Sequence, residues 1–131
     1  MCRVCTTILM VNVSDKENSL KELPVRLVML DTGAAAIQCL REERIDTVVS
    51  RWELIDMPHG KLLENVRGAI PAMPTIAFIA ADNLDQEIAA RSLGVTVVLS
   101  EDVDDEYFRQ TVCNLLSIPE AATMQLAEIG N

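Results

Sequence analysis

The sequence predicts an α/β domain built on a parallel sheet, and three features carry that expectation. Five short runs rich in Val, Ile, Leu and Met, beginning near Thr6, Val25, Ile45, Thr75 and Val95, have strand length and little polar interruption. Such runs are the pattern of strands buried on both faces. Between them lie stretches with apolar residues at helical spacing, and helices are what joins parallel strands. Turn and cap residues, among them Pro24, Thr32, Asn83 and Gly94, punctuate the alternation.

Taken in order, Thr6 to Val13 is the first strand. Ser14 with Glu17 three residues later has capping-box spacing, and the short helix it opens must stop at Pro24. Val25 to Leu30 is the second strand, after which Asp31 or Thr32 caps a helix through Ala34, Ala35, Ile37 and Leu40 to Arg41 and Arg44. Ile45 to Ser50 is the third strand. Trp52 follows, either packed over the sheet edge or exposed as an interface anchor. The third helix runs from about Gly60 to Ala69, with Leu62, Leu63 and Val66 on one face. Pro71 and Pro74 bracket the entry to the fourth strand, Thr75 to Ile79. Asp82 and Asn83 cap a helix to Leu93, which Gly94 ends in the position favoured past a C-terminus. Val95 to Leu99 is the fifth strand. Asp104 and Asp105 open the last core helix at its positive end, with Tyr107 or Phe108, Val112, Leu115 and Leu116 facing inward. Residues 1–117 form one domain, and the tail 118–131 reads as a short helix or a disordered segment.

Composition narrows the function. The chain has 131 residues and a formal net charge of −9, which argues against nonspecific nucleic-acid binding and leaves room for a basic partner. No apolar run approaches the ~20 residues of a membrane span, and the N-terminus lacks a secretory pattern. The expectation is a cytoplasmic protein with no membrane partner. Cys2-x-x-Cys5 has metal or redox spacing, but there is no second pair and His59 is the only histidine. No metal site or cofactor is expected from that set. Cys39 and Cys113 fall at helical positions and read as small hydrophobes. There is no glycine before Gly33, so the loop after the first strand cannot be a glycine-rich phosphate cradle. Val28 to Ala34, with Asp31-Thr32-Gly33 at its centre, resembles the active-site motif of dimeric aspartic proteases. The helical run after it does not suit that nearly all-β fold.

The segment from Ile45 to Arg67 carries the strongest resemblance. Asp46, Trp52, Met57, Gly60, Leu62, Leu63 and Arg67 together resemble the phosphorylation-site segment of bacterial response-regulator receiver domains. Leu30-Asp31-Thr32-Gly33-Ala34 resembles that family's turn after the second strand, Met73-Pro74-Thr75-Ile76 its entry to the fourth and Leu93-Gly94-Val95 its junction before the fifth, in the right order. The resemblance covers about residues 6 to 117. It implies a flavodoxin-like (CheY-like) five-stranded sheet in the order 2-1-3-4-5.

The resemblance also implies a functional pocket whose usual residues are missing. Asn12 and Val13 match the family's metal-holding acids, and Arg51 matches the phospho-accepting Asp (or Ser50 does, since the loop is one residue longer). Ile79 stands for the fourth-strand hydroxyl, Val98 for the aromatic switch residue and Glu101 for the fifth-strand Lys. Arg51 and Glu101 reverse both charges of the family's pair, so an ion pair between them is expected. The implied function is a non-phosphorylatable, non-enzymatic signalling module that acts by protein–protein interaction, without metal or cofactor. Its partner is another protein or a second copy, met through the fourth helix, fifth strand and fifth helix. Gln86, Glu87, Arg91, Glu106, Arg109 and Gln110 are expected to be exposed there. The alternative is a phosphorelay receiver with a displaced acidic site, using Asp15 or Asp56.

Overall fold

A computed structural model describes residues 6–21 and 23–116. Cys2, Cys5 and the tail from residue 118 lie outside the described residues. Five strands, β1 (Thr6–Val11), β2 (Val25–Leu30), β3 (Thr47–Arg51), β4 (Thr75–Ile79) and β5 (Val97–Ser100), form one sheet in the order β2-β1-β3-β4-β5. Every neighbouring pair is parallel. One 3₁₀ segment and three α-helices, α1 (Gly33–Glu42), α2 (Lys61–Ala69) and α3 (Leu84–Leu93), connect them, and a fourth helix, α4 (Asp105–Leu116), follows β5. The 3₁₀ segment, Ser14–Leu20, stands between β1 and β2. The expected fourth and fifth helices are therefore α3 and α4.

Side-chain alternation along the strands builds two cores. Leu9, Val11, Val48 and Ala77 face one side, where they meet Ala36 and Cys39 of α1, Leu62, Leu63 and Val66 of α2, and Ala90 of α3. Ile8, Met10, Val49, Ile76 and Phe78 face the other, against Leu20, Phe108, Val112 and Cys113. The Phe78 and Phe108 rings meet edge to face, 5.1 Å apart and inclined by 69°. A pair of this kind adds about 0.5–1.5 kcal/mol beyond the area it buries.

Local chemistry sets most boundaries. The Thr32 hydroxyl accepts from the Ala35 amide and the Asn83 side chain accepts from the Gln86 amide, so each is an N-cap. Gly94 closes α3 at φ +97°, in the left-handed region that glycine tolerates. Asp31-Thr32-Gly33 thus heads a helix on a parallel sheet, which is not the setting of an aspartic-protease motif.

The stretch after β1 departs from expectation. Val13, not Ser14, precedes its first turn, and no side chain caps it. Its bonds are of the tighter kind, as in the Lys16 amide to the Val13 carbonyl at 2.8 Å. Ser14, Asp15, Asn18 and Ser19 are residue types of low helix propensity, which favours turns over α-helix. Tyr107 and β5 need smaller corrections. Tyr107 faces solvent while Phe108 is fully buried, and β5 begins two residues later than the apolar run suggests.

Candidate functional site

The C-terminal ends of β1, β3 and β5 meet on one rim of the sheet, and a single guanidinium joins their loops. Arg51 is the last residue of β3, paired in register with Phe78. Its Nε donates to the Asn12 carbonyl at 2.8 Å. One terminal nitrogen lies 2.8 Å from Asp15 Oδ1 and the other 2.9 Å from Glu101 Oε2. All three nitrogens of the planar fork are engaged, which a lysine in this place could not reproduce. The ion pair expected between Arg51 and Glu101 is present.

The backbone is shaped to receive this side chain. Asn12 has φ +57°, a left-handed conformation that Asn tolerates better than most residues. Its amide donates to the Leu30 carbonyl at 2.7 Å, while its own carbonyl takes Arg51. Val13 turns inward and is buried in the second core. Ser50 is fully buried and its hydroxyl donates to the Arg51 carbonyl. Of the two residues that could match the acceptor position, Arg51 is the one that reaches the rim.

Lys16 is a rim residue that sequence reasoning missed. Only 7% exposed, it extends from the 3₁₀ segment to the turn after β5. Its ammonium donates to the Glu101 carbonyl at 3.0 Å and the Val103 carbonyl at 3.4 Å. It also lies 5.4 Å from the centre of the Phe78 ring, within cation–π range. The site thus sets two cations, Arg51 and Lys16, beside two carboxylates, Asp15 and Glu101. A divalent cation such as magnesium needs hard oxygen ligands in near-octahedral array. Here the two carboxylates and the Asn12 carbonyl already hold a guanidinium, so these residues do not fit the metal. Among the described residues, no group of three or more His, Cys, Asp or Glu side chains is arranged to bind an ion.

The other acid of this region serves α1. Asp56 accepts from the Gly33 and Ala34 amides, both at 2.9 Å. Those two backbone bonds hold its carboxyl below the usual carboxylate range. Asp31 is exposed in the same turn. Trp52, the next residue after Arg51, is buried rather than exposed. It lies under the β3–α2 loop, with its carbonyl accepting from the Gly60 amide at 2.9 Å. Exposed His59 has its Nδ1 3.4 Å from Glu53.

The expected interaction face is only partly as drawn. Arg91, Glu106 and Gln110 are exposed, but Gln86, Glu87 and Arg109 are half-buried. Gln86 accepts from the Ala80 amide at 2.9 Å, holding the β4–α3 loop. Glu87 pairs with Arg91 at 3.1 Å. Beside these polar residues α3 and α4 also expose apolar side chains: Leu84 and Ile88 on α3 and Tyr107 on α4. Beside β5 lies a cleft of about 470 Å³, with Ile79, Leu84, Val98 and Leu99 among its lining residues.

No known family profile matches the chain. Two curated relatives match, the transcriptional regulatory proteins GlrR of Escherichia coli K12 and QseF of Escherichia coli O157:H7. Each is 28% identical over 85% of this chain and 27% of its own length. The chain therefore spans about a quarter of the curated relatives it matches. Many solved structures are similar, three of them as follows. The signal receiver domain of an HD domain-containing protein from Pseudomonas fluorescens Pf-5 has a TM-score of 0.79 at 22% identity, covering 87% of this chain and 96% of its own. A CheY-like receiver domain from Methanospirillum hungatei JF-1 has a TM-score of 0.78 at 16% identity, covering 87% and 95%. The receiver domain of a putative Luxo repressor protein from Vibrio parahaemolyticus has a TM-score of 0.78 at 18% identity, covering 97% and 100%. With these likenesses and the strand order β2-β1-β3-β4-β5, the chain has the fold of response-regulator receiver domains.

Proposed function

We propose that this chain is a receiver-like regulatory module that works by docking to a protein partner and takes no phosphoryl group. The observation that carries the reading is the Arg51 guanidinium, bound at once to Asn12, Asp15 and Glu101. A phospho-accepting site needs a carboxylate nucleophile beside a metal. At the end of β3 there is instead a cation, and its neighbours are committed to it. Ile79 supplies no hydroxyl at the end of β4. The pocket, read as Asn12, Val13, Arg51, Ile79 and Glu101, is a closed strut between loops. Such a strut holds one arrangement of the rim where a phosphorylated switch would alternate between two.

Incubation with acetyl phosphate and magnesium, followed by intact-mass measurement, tests the proposal. The expected result is an unmodified mass at every reagent concentration. An adduct of one phosphoryl group that requires magnesium would overturn it. A phosphorelay receiver with a displaced acid is the second reading. It is disfavoured because Asp15 is bound to Arg51 and Asp56 is bound to the start of α1.

A further inference from the structure

We propose that a cleft between α1 and α2 binds a small amphiphilic carboxylate, a molecule with an acid group at one end of a short alkyl or aryl body. The proposal goes beyond the docking function argued above and does not depend on it. The cleft holds about 400 Å³, within the size range of small-molecule sites. Ile37 and Leu40 of α1 line one side, and Val66 and Ala69 of α2, with Ile70 after them, line the other. Val66 belongs to the first core, and Ile37 and Leu40 pack against it, so the cleft is continuous with that core. It stays open because the last turn of α2 carries little bulk. Ala69 is exposed, and a Cβ added at its neighbour Gly68 would meet nothing within 4 Å. α1 and α2 end shortly before β3 and β4 begin, which places the cleft at the end of the sheet opposite Arg51.

Two polar residues select the occupant. Among the described residues that line the cleft, Arg41 alone is charged and Asn65 is the other polar one. Both are exposed. Arg26, Arg44, Arg51 and Arg91 each meet a carboxylate. Arg41 has no acidic partner among the described residues. The acids that follow it are engaged elsewhere, Glu42 by Gln38 and Glu43 by Arg26. A guanidinium fits a carboxylate through two parallel hydrogen bonds, and the Asn65 amide can donate one more. An apolar cleft with a few such polar groups at its edge is the usual form of a small-molecule site. A protein partner fits this place less well. The large apolar side chains exposed among the described residues are Ile55, Leu84, Ile88 and Tyr107, and none of them belongs to α1 or α2. A stable protein interface needs a much wider patch than one cleft.

The test titrates the isotope-labelled full chain with sodium octanoate, 1-octanol and octylammonium chloride, followed by amide chemical shifts. Octanoate should shift residues 37–41 and 65–70 saturably and bind more tightly than the other two. Arg41→Gln, at an exposed position that does not endanger folding, should weaken octanoate by about fivefold and leave 1-octanol unchanged. Ala69→Phe, also at an exposed position, fills the cleft and should abolish saturable binding of both. Three results would overturn the proposal: no saturable shift of those residues, 1-octanol or octylammonium binding as tightly as octanoate, or octanoate binding that either substitution leaves unchanged. A phosphoryl adduct in the separate labelling experiment would sink the docking-only reading while leaving the octanoate result standing. Failed octanoate binding with no adduct would remove the cleft and leave the Arg51 strut intact.

Discussion

Arg51 joins the Asn12 carbonyl, Asp15 and Glu101 through one planar side chain. Its side chain is about one-fifth exposed, whereas Asp15 and Glu101 are 57% and 42% exposed. Each pair is therefore screened, and its coupling should not exceed about 1 kcal/mol. A double-mutant cycle of Arg51→Ala and Glu101→Ala, read by denaturant unfolding, should give a favourable coupling of that order. Strict additivity would show that the two side chains act independently. Arg51→Lys should recover only part of the coupling, because an ammonium cannot span three partners in one plane. The Arg51–Glu101 pair was legible in the sequence, since both charges are reversed at positions the resemblance aligns. Asp15 and Lys16 were not. Their directions depend on the 3₁₀ turns and on the left-handed Asn12, which a helical reading of this stretch misplaces.

Asp56 adds a pH dependence at the same scale. Its folded-state pKa is lowered by the Gly33 and Ala34 amides. A lowered carboxyl stabilises the fold above its unfolded pKa, about 3.9 for a free Asp, and that stabilisation is lost as pH falls through the folded value. Asp56→Ala should therefore unfold more easily than the parent at neutral pH, and the difference should narrow below about pH 4. A difference that stays constant into acid would exclude the carboxylate as its source.

At the scale of elements, the β3–α2 connection depends on one glycine. Gly60 has φ +70°, and a Cβ there would lie 2.2 Å from the Trp52 ring. Gly60→Ala must push the indole from its buried seat and also strain the backbone. A loss on the order of 2–3 kcal/mol is expected from the two effects together. An unchanged denaturation midpoint would mean that the loop is free to move off the ring. The elements most legible in the sequence have local causes: Thr32 and Asn83 as caps, Gly94 as a stop, Leu62, Leu63 and Val66 as a stripe. Trp52 was ambiguous because aromatic residues serve cores and interfaces alike. The outward Leu84, Ile88 and Tyr107 were hidden for a related reason. An apolar residue at helical spacing reads as core, and only the packing of α3 and α4 shows which ones are left over.

At the scale of the whole molecule, five buried runs alternating with helices were enough for the parallel sheet, and the family resemblance supplied its strand order. The rim's chemistry was legible only as a set of departures from that resemblance. The arrangement at the rim, one guanidinium holding two loops, emerges from the fold. Beryllofluoride with magnesium imitates a phosphorylated carboxylate and assembles only where an acceptor acid and a metal site coexist, so it probes this rim directly. Amide spectra of the full chain with and without both reagents should coincide at residues 12–16, 51–56, 79–83 and 100–103. A saturable shift of those amides that needs both reagents would show a working phosphoryl site and contradict the Arg51 strut.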